Sequence, residues 1–106
     1  MAQQFVRTKL GADRVVLFVK PTCPYCSIAT DVLSKYKLKP GHLECVDISG
    51  RSDMDSVQDY FLELTGARTV PRVFIGEECV GGGTDVAALH DSGKLERMLQ
   101  SIGALQ

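Results

Sequence analysis

The hydrophobic pattern of the first half of the chain predicts a strand, a helix and a second strand. Residues 15–20 read VVLFVK, a continuous apolar run that is typical of a strand buried on both faces. From Pro24 the apolar period changes to three and four residues, which predicts an amphipathic helix over 24–36. Residues 42–48 alternate and are rich in β-forming side chains, so we expect a second strand there. Because a helix joins them, the two strands should be parallel.

Two further helices are predicted on either side of this unit. A short helix over residues 2–11 precedes the first strand and stops at a glycine. Apolar residues at helical spacing between Val57 and Leu64 predict a third helix, for which Gly66 is the expected stop. We expect Leu64 to lie on the apolar face of that helix, one turn beyond Tyr60 and Phe61.

The end of the chain predicts a hairpin followed by two helices. Short apolar segments at 73–75 and 79–80 flank a glycine-containing turn, which is typical of a β-hairpin. Thr84 or Asp85 is the expected cap of the next helix, and a last helix covers 94–102. The predicted order is therefore α-β-α-β-α-β-β-α-α. It describes an α/β protein with a mixed four-stranded sheet and helices on both faces.

Composition and charge narrow the class of protein. The 106 residues suffice for one core and are too few for two, so we expect a single domain over residues 1–106. Twelve Lys and Arg nearly balance thirteen Asp and Glu, a balance that argues against nucleic acid or an anionic membrane as partner. The first twenty residues carry several charges, and no apolar run approaches the roughly 20 residues of a membrane span. We expect a cytoplasmic monomer.

The most informative motif is Cys23-Pro24-Tyr25-Cys26, which lies where the first strand passes into a helix. A helix N-terminus offers unpaired N–H groups and a positive dipole end, and both favour the thiolate form of Cys23. Cys26 follows three residues later on the same face, within reach of Cys23. The motif predicts that Cys23 is the nucleophile, that Cys26 is the resolving thiol, and that the two form a redox-active disulfide.

Two other interpretations of the pair are weaker. Structural zinc usually needs four ligands from two paired motifs, and the remaining cysteines and histidines form no second pair at ligand spacing. Two buried structural thiols would not need a proline-containing strand–helix junction. We therefore predict no metal.

Several separated motifs together make the chain resemble the dithiol glutaredoxins over essentially all 106 residues. They are Cys-Pro-Tyr-Cys at 23–26, Thr-Val-Pro at 69–71, and the glycine turn that leads to Asp85. The resemblance implies a thioredoxin fold with a cis Pro71 beside Cys23. It implies reduction of protein–glutathione mixed disulfides, and of some low-molecular-weight and protein disulfides. Glutathione would be the co-substrate, regenerated by glutathione reductase and NADPH, with no tightly bound cofactor.

The resemblance also implies which residues hold glutathione. Lys20 and Gln58 match the family's site for the glycine carboxylate, and Asp85 would pair with the γ-glutamyl ammonium. Backbone N–H groups at 83–85 suit the γ-glutamyl carboxylate, and the backbone of Val70 would pair with the cysteinyl unit. The full implied set is Lys20, Tyr25, Gln58, Arg68, Thr69, Val70, Pro71, Gly82, Gly83, Thr84 and Asp85.

Each of these residues also has a plainer interpretation. Lys20 and Gln58 could be ordinary surface residues, and Asp85 could serve only as a helix cap. The glycines at 81–83 could form no more than a flexible turn, although close approach of backbone to a ligand also requires glycine. We expect Arg72 on the outer face.

The chain departs from the family pattern at one position. Many members carry cysteine where Gly83 stands, so a 79–83 disulfide is impossible here. Cys79 is then a buried strand residue or a lone oxidisable thiol, and we expect the first. Cys45 lies in the second predicted strand, and we expect it in the core.

A different class of function is a glutathione-dependent module that binds a [2Fe–2S] cluster between two subunits, as some glutaredoxins do. Pro24 argues against it, because cluster-holding members usually have Gly or Ser at that position.

Overall fold

The computed structural model describes residues 2–106. Within them, five helices and four strands follow one another in the predicted order. Their bounds are α1 (Ala2–Lys9), β1 (Val15–Val19), α2 (Pro24–Leu33), β2 (Leu43–Asp47), α3 (Met54–Thr65), β3 (Arg72–Ile75), β4 (Glu78–Gly81), α4 (Gly83–Asp91) and α5 (Lys94–Ser101).

The four strands form one mixed sheet in the order β2-β1-β3-β4. β1 pairs in parallel with β2 and antiparallel with β3, and β4 pairs antiparallel with β3. Val15 to Phe18 of β1 are 0–1% exposed, because β1 has a strand on each side and helices above and below. The predicted mixed α/β sheet is confirmed.

Alternation along β1 divides the interior into two hydrophobic clusters, one on each face of the sheet. Val15 and Leu17 face α2, α4 and α5, where they pack against residues such as Ala29 and Leu99. The alternate positions face α1 and α3. That second cluster consists of Val6, Val16, Phe18, Val46, Ile48, Val57, Tyr60, Phe61 and Phe74.

Two predicted features of the helices are wrong in detail. α2 ends at Leu33 rather than at residue 36, because the N–H groups of Lys35 and Tyr36 donate to carbonyls three residues back, which forms tight turns instead of further helix. Leu64 is 46% exposed, since it lies in the last turn of α3 next to Gly66. The left-handed Gly66, with φ of 85°, does end α3 as predicted.

The predicted cap of α4 is also wrong. The N-cap is Gly82, and the helix begins at Gly83, so Thr84 and Asp85 lie inside its first turn. The carboxylate of Asp85 accepts a hydrogen bond from the backbone N–H of Gly82 at 2.9 Å. Asp85 thus stabilises the N-terminus of α4 from the third helical position instead of from the N-cap position.

No helix within residues 2–106 has the length and hydrophobicity that crossing a bilayer requires.

The aromatic centre of the second cluster gives a stability prediction. Phe18 is fully buried, with its ring centroid 5.1 Å from that of Phe61 and 5.8 Å from that of Phe74. We expect Phe18→Ala to lower the free energy of unfolding by about 3–5 kcal/mol, because it removes buried apolar area and leaves a cavity. Urea unfolding followed by circular dichroism measures the change. Leu62→Ala is the control, since Leu62 is 49% exposed, and equal losses in the two variants would contradict the packing described here.

Candidate active site

Cys23 occupies the N-cap position of α2, directly after β1 and its short connection. Its backbone is extended, with φ of −110° and ψ of 110°, and Pro24 follows at the first helical position, where no N–H is needed. The Sγ atom of Cys23 accepts a hydrogen bond from the backbone N–H of Cys26 at 3.3 Å. A thiolate at this place would receive that bond and the positive end of the helix dipole.

The loop that precedes β3 lies opposite this thiol. The Val70–Pro71 peptide bond is cis, as the resemblance implied. The Cys23 thiol donates to the carbonyl oxygen of Val70 over an S···O distance of 3.5 Å. This contact joins residues that are 47 positions apart, and it sets a peptide backbone beside the sulfur.

Cys26 has a different environment from Cys23. It is 5% exposed, whereas Cys23 is partly exposed. Burial, aided by the neighbouring Cys23 thiol, raises the pKa of Cys26 to about 12, although a backbone hydrogen bond at Lys20 acts in the other direction. Near neutral pH, Cys26 is therefore a protonated thiol.

A chain of hydrogen bonds links the end of β1 to the loop before β3. The Lys20 ammonium donates to Oε1 of Gln58 at 3.2 Å, and Nε2 of Gln58 donates to the Arg68 carbonyl at 3.0 Å. Gln58 is 7% exposed, so the plain surface interpretation of this residue is wrong. Its position in α3 holds the Lys20 charge close to the 66–71 loop.

Arg68 lies at the exposed rim. Its guanidinium is 3.3 Å from the Asp59 carboxylate and 3.9 Å from that of Asp55. Both carboxylates are highly exposed, so these pairs are weak and leave Arg68 able to turn to another anion.

The N-terminus of α4 forms the third part of the site. A Cβ atom at Gly83 would collide with the carbonyl oxygen of Tyr25, so this helix end lies directly against the Cys-Pro-Tyr-Cys loop. Glycine at 83 allows that contact, which a cysteine would have to open. Gly82 and Gly83 are buried, while Thr84 and Asp85 are exposed beside them.

The structure thus brings the implied site residues together at one end of the sheet, from β1, α2, α3, the 66–71 loop and the β4–α4 turn. Tyr25 is 56% exposed at the edge, and Thr69 is exposed on the loop.

A separate groove of about 1020 Å³ between α1 and α3 is lined by residues that include Arg7, Asp53 and Tyr60. None of the implied site residues lines it.

The sequence also suggested positions for three side chains outside the implied set, and two of those positions are wrong. Arg72 is 9% exposed, so its assignment to the outer face is wrong; the sequence signal was its place beside Pro71 in a buried strand. Cys45 is exposed, because it lies on the face of the edge strand β2 opposite the buried Val46, and its assignment to the core is wrong. Cys79 is partly buried against the second cluster in β4.

Comparison with known proteins decides the family. A family model described as Glutaredoxin matches residues 15–80. The chain belongs to the glutaredoxin family. It is 54% identical to Glutaredoxin-1 of Sus scrofa and 53% identical to Glutaredoxin-1 of Homo sapiens, in both cases over 100% of both chains.

Solved glutaredoxin structures confirm the thioredoxin fold. Oxidized glutaredoxin 2 of Chlamydomonas reinhardtii superimposes with a TM-score of 0.90 at 38% identity, covering 98% of this chain and 95% of that one. The buckwheat glutaredoxin–glutathione complex also gives a TM-score of 0.90, at 34% identity, covering 100% of this chain and 94% of that one.

The unequal thiols of this glutaredoxin predict unequal alkylation. We expect iodoacetamide near neutral pH to modify Cys23 and to leave Cys26 unmodified, because Cys23 is partly exposed whereas Cys26 is buried and protonated. Mass spectrometry of the proteolysed protein measures the labelling of each cysteine. In urea all four cysteines should be labelled, which serves as the control. Equal labelling of Cys23 and Cys26 in the folded protein would contradict the asymmetry.

Proposed function

We infer that this glutaredoxin is a glutathione-dependent thiol–disulfide oxidoreductase that reduces protein–glutathione mixed disulfides. The observation that carries the inference is the pairing of a partly exposed thiol at a helix N-terminus with a peptide carbonyl 3.5 Å away. That arrangement suits a nucleophilic sulfur whose substrate is a disulfide with a peptide backbone next to it. Identity to vertebrate Glutaredoxin-1 and the likeness to a glutaredoxin–glutathione complex support it.

In the first step, the Cys23 thiolate attacks the glutathione sulfur of the mixed disulfide. A new disulfide forms between Cys23 and glutathione, the old S–S bond breaks, and the protein substrate leaves as a thiolate. The Cys26 N–H hydrogen bond holds the attacking sulfur at the N-terminus of α2. When the sulfur has lost its proton, the Val70 carbonyl becomes free to accept from the substrate's backbone.

In the second step, a second glutathione thiolate attacks the glutathione sulfur on Cys23. Oxidised glutathione forms, and Cys23 leaves as a thiolate, ready for another cycle.

With protein disulfides, Cys23 first attacks one substrate sulfur and forms a mixed disulfide, and the other substrate sulfur leaves as a thiolate. Cys26 then attacks the Cys23 sulfur of that mixed disulfide. The Cys23–Cys26 disulfide forms, the bond to the substrate breaks, the second substrate sulfur leaves as a thiolate, and two glutathione molecules reduce the new disulfide and leave as oxidised glutathione. Because the pKa of Cys26 is raised to about 12, this second route requires that Cys26 lose its proton as it attacks.

We assign the parts of glutathione to the three segments around Cys23. Lys20 and Gln58, with Arg68 nearby, receive the glycine carboxylate, and the Val70 backbone pairs with the cysteinyl unit. We assign the other contacts to Tyr25 and Thr69 at the edges of the cleft, to Pro71 next to Val70, and to Gly82, Gly83, Thr84 and Asp85 around the γ-glutamyl group.

Several consequences stay predictions. They are a cytoplasmic location, action as a monomer, glutathionylated proteins as substrates, and regeneration of glutathione by glutathione reductase and NADPH. The alternative of a [2Fe–2S] module is not favoured, because the full-length relatives are Glutaredoxin-1 proteins and Pro24 occupies the position next to Cys23.

Single cysteine variants test the proposed mechanism. We expect Cys23→Ser to abolish release of a peptide from its glutathione mixed disulfide, because a hydroxyl does not replace the thiolate. Cys26→Ser should keep that reaction and lose the reduction of a protein disulfide. Coupled oxidation of NADPH measures both. Activity of Cys23→Ser in the glutathione assay would overturn the mechanism, and Cys45→Ser is the control that should match the unsubstituted protein.

The assignment of the glycine carboxylate has its own test. We expect Lys20→Met to raise KM for a glutathionylated peptide about fivefold, because a partly exposed charge pair is lost. A peptide disulfide with γ-glutamylcysteine, which lacks the glycine carboxylate, should show no such rise. Lys35→Met, in the exposed turn that follows α2, is the matched control. An equal rise with both substrates would show that Lys20 does not act on that carboxylate.

A further inference from the structure

Arg72 is a buried cation that the mechanism above does not use. Its side chain is only 9% exposed, at the start of β3 and directly after the cis Pro71. No carboxylate of residues 2–106 lies within 4.0 Å of its nitrogen atoms. A buried charge without an ion pair costs free energy, and such a departure from ordinary packing is most often found at a functional site.

The guanidinium of Arg72 touches three separate segments of the site. Its Nε donates to the Pro71 carbonyl at 3.2 Å, and its Nη1 approaches Oγ1 of Thr65 at 3.5 Å. Its Nη2 lies against Gly82, 3.3 Å from where a Cβ atom on that glycine would stand. Arg72 thus joins the C-terminus of α3, the cis-proline loop and the N-cap of α4.

The two helix ends next to Arg72 carry dipole charges of opposite sign. The C-terminus of α3, at Thr65, carries the negative end of a helix dipole and stabilises the guanidinium. The N-terminus of α4, at Gly82 and Gly83, carries a positive end, and Arg72 adds its own charge beneath it. The two positive contributions together favour an anion above the α4 N-terminus.

Asp85 lies on the other side of the same turn. Its Oδ2 is 4.0 Å from the Cβ position at Gly82 and accepts the Gly82 N–H. A cation and a carboxylate therefore flank the Gly82 backbone without pairing with each other. That arrangement complements a ligand group with one carboxylate and one ammonium, such as the γ-glutamyl end of glutathione.

We propose that Arg72 is a positioning residue that fixes Gly82 against the cis-proline loop and supplies the positive field for the γ-glutamyl carboxylate. The inference rests on the glutathione-binding function proposed above. Arg72 is too deeply buried to contact the ligand, so it acts through the α4 N-terminus and the loop. It determines which low-molecular-weight thiol the site accepts, because only a γ-glutamyl thiol carries the charges that this end of the site matches.

The test compares two peptide mixed disulfides, one with glutathione and one with cysteinylglycine, which lacks the γ-glutamyl group. Single-turnover release of the peptide thiol gives a half-saturating concentration and a maximal rate for each. We expect Arg72→Met to raise the half-saturating concentration for the glutathionylated peptide about tenfold and to change its maximal rate less than about twofold. For the cysteinylglycine peptide both values should stay within about twofold of the unsubstituted protein.

Two further variants sharpen the comparison. Arg72→Lys keeps the charge and should limit the rise for the glutathionylated peptide to about threefold. Arg97→Met removes an exposed arginine of α5 and should change neither peptide's values. Equal losses on both peptides, no loss on either, or Arg72→Lys behaving like Arg72→Met would each overturn the proposal.

A variant that does not fold and a failure of the proposed function must each be distinguished from a failure of the Arg72 proposal. If Arg72→Met does not fold, the two peptides are compared with Arg72→Lys instead. Because lysine alters the hydrogen bond to Pro71, this variant must raise the half-saturating concentration for the glutathionylated peptide more than that for the cysteinylglycine peptide. Equal effects on the two peptides overturn the proposal. If the unsubstituted protein does not release the glutathionylated peptide, or Cys23→Ser does, the function itself is wrong. The Arg72 proposal fails alone when the unsubstituted protein prefers the glutathionylated peptide and Arg72→Met keeps that preference in full.

Discussion

Burial of β1 on both of its faces fixes where the reactive sulfur lies. With β2 and β3 alongside and helices above and below, all side chains from Val15 to Phe18 are buried, so a shift of register would disrupt the packing of both hydrophobic clusters. The chain must therefore leave the sheet at Val19 and enter α2 a few residues later. Cys23 becomes the N-cap because Pro24 begins that helix, so the same burial that holds the core together also sets the thiol at a helix N-terminus.

The difference between the two thiols follows from one turn of helix. Cys23 is held at the end, where N–H groups are unpaired and solvent reaches the sulfur. Cys26 lies on the inward face of α2, near Ala29, and its burial there raises its pKa to about 12. Sequence spacing makes the two cysteines neighbours, but the packing of α2 on the sheet makes one exposed and the other protonated. This difference is what the proposed mechanism requires, with Cys23 as the attacking thiol and Cys26 as the resolving thiol.

Elements with strong periodicity were predictable from the sequence, and positions decided by tertiary packing were not. The apolar run of β1 and the glycine that ends α3 identify their elements by local chemistry alone. Whether Cys45 is buried depends on which face of β2 the rest of the protein covers, which its alternating pattern does not reveal. Arg72 reads as an outer-face arginine because local sequence does not show that Thr65 and Gly82 will enclose it. The start of α4 was misplaced because a glycine N-cap carries no side-chain signal.

The charges around Cys23 explain why recognition needs separated pieces of chain. The protein as a whole carries a net charge of −1, yet Lys20, Arg68 and Arg72 come from different segments and converge on one end of the sheet. Gln58 joins two of these segments through buried hydrogen bonds, and Arg72 joins the third. An ion that met only one of these charges would bind weakly in water. The glutathione proposed above as ligand has charges at both ends and a peptide between them, so it suits a cleft with Lys20 and Arg68 near one end and with Arg72 acting through Gly82 at the other.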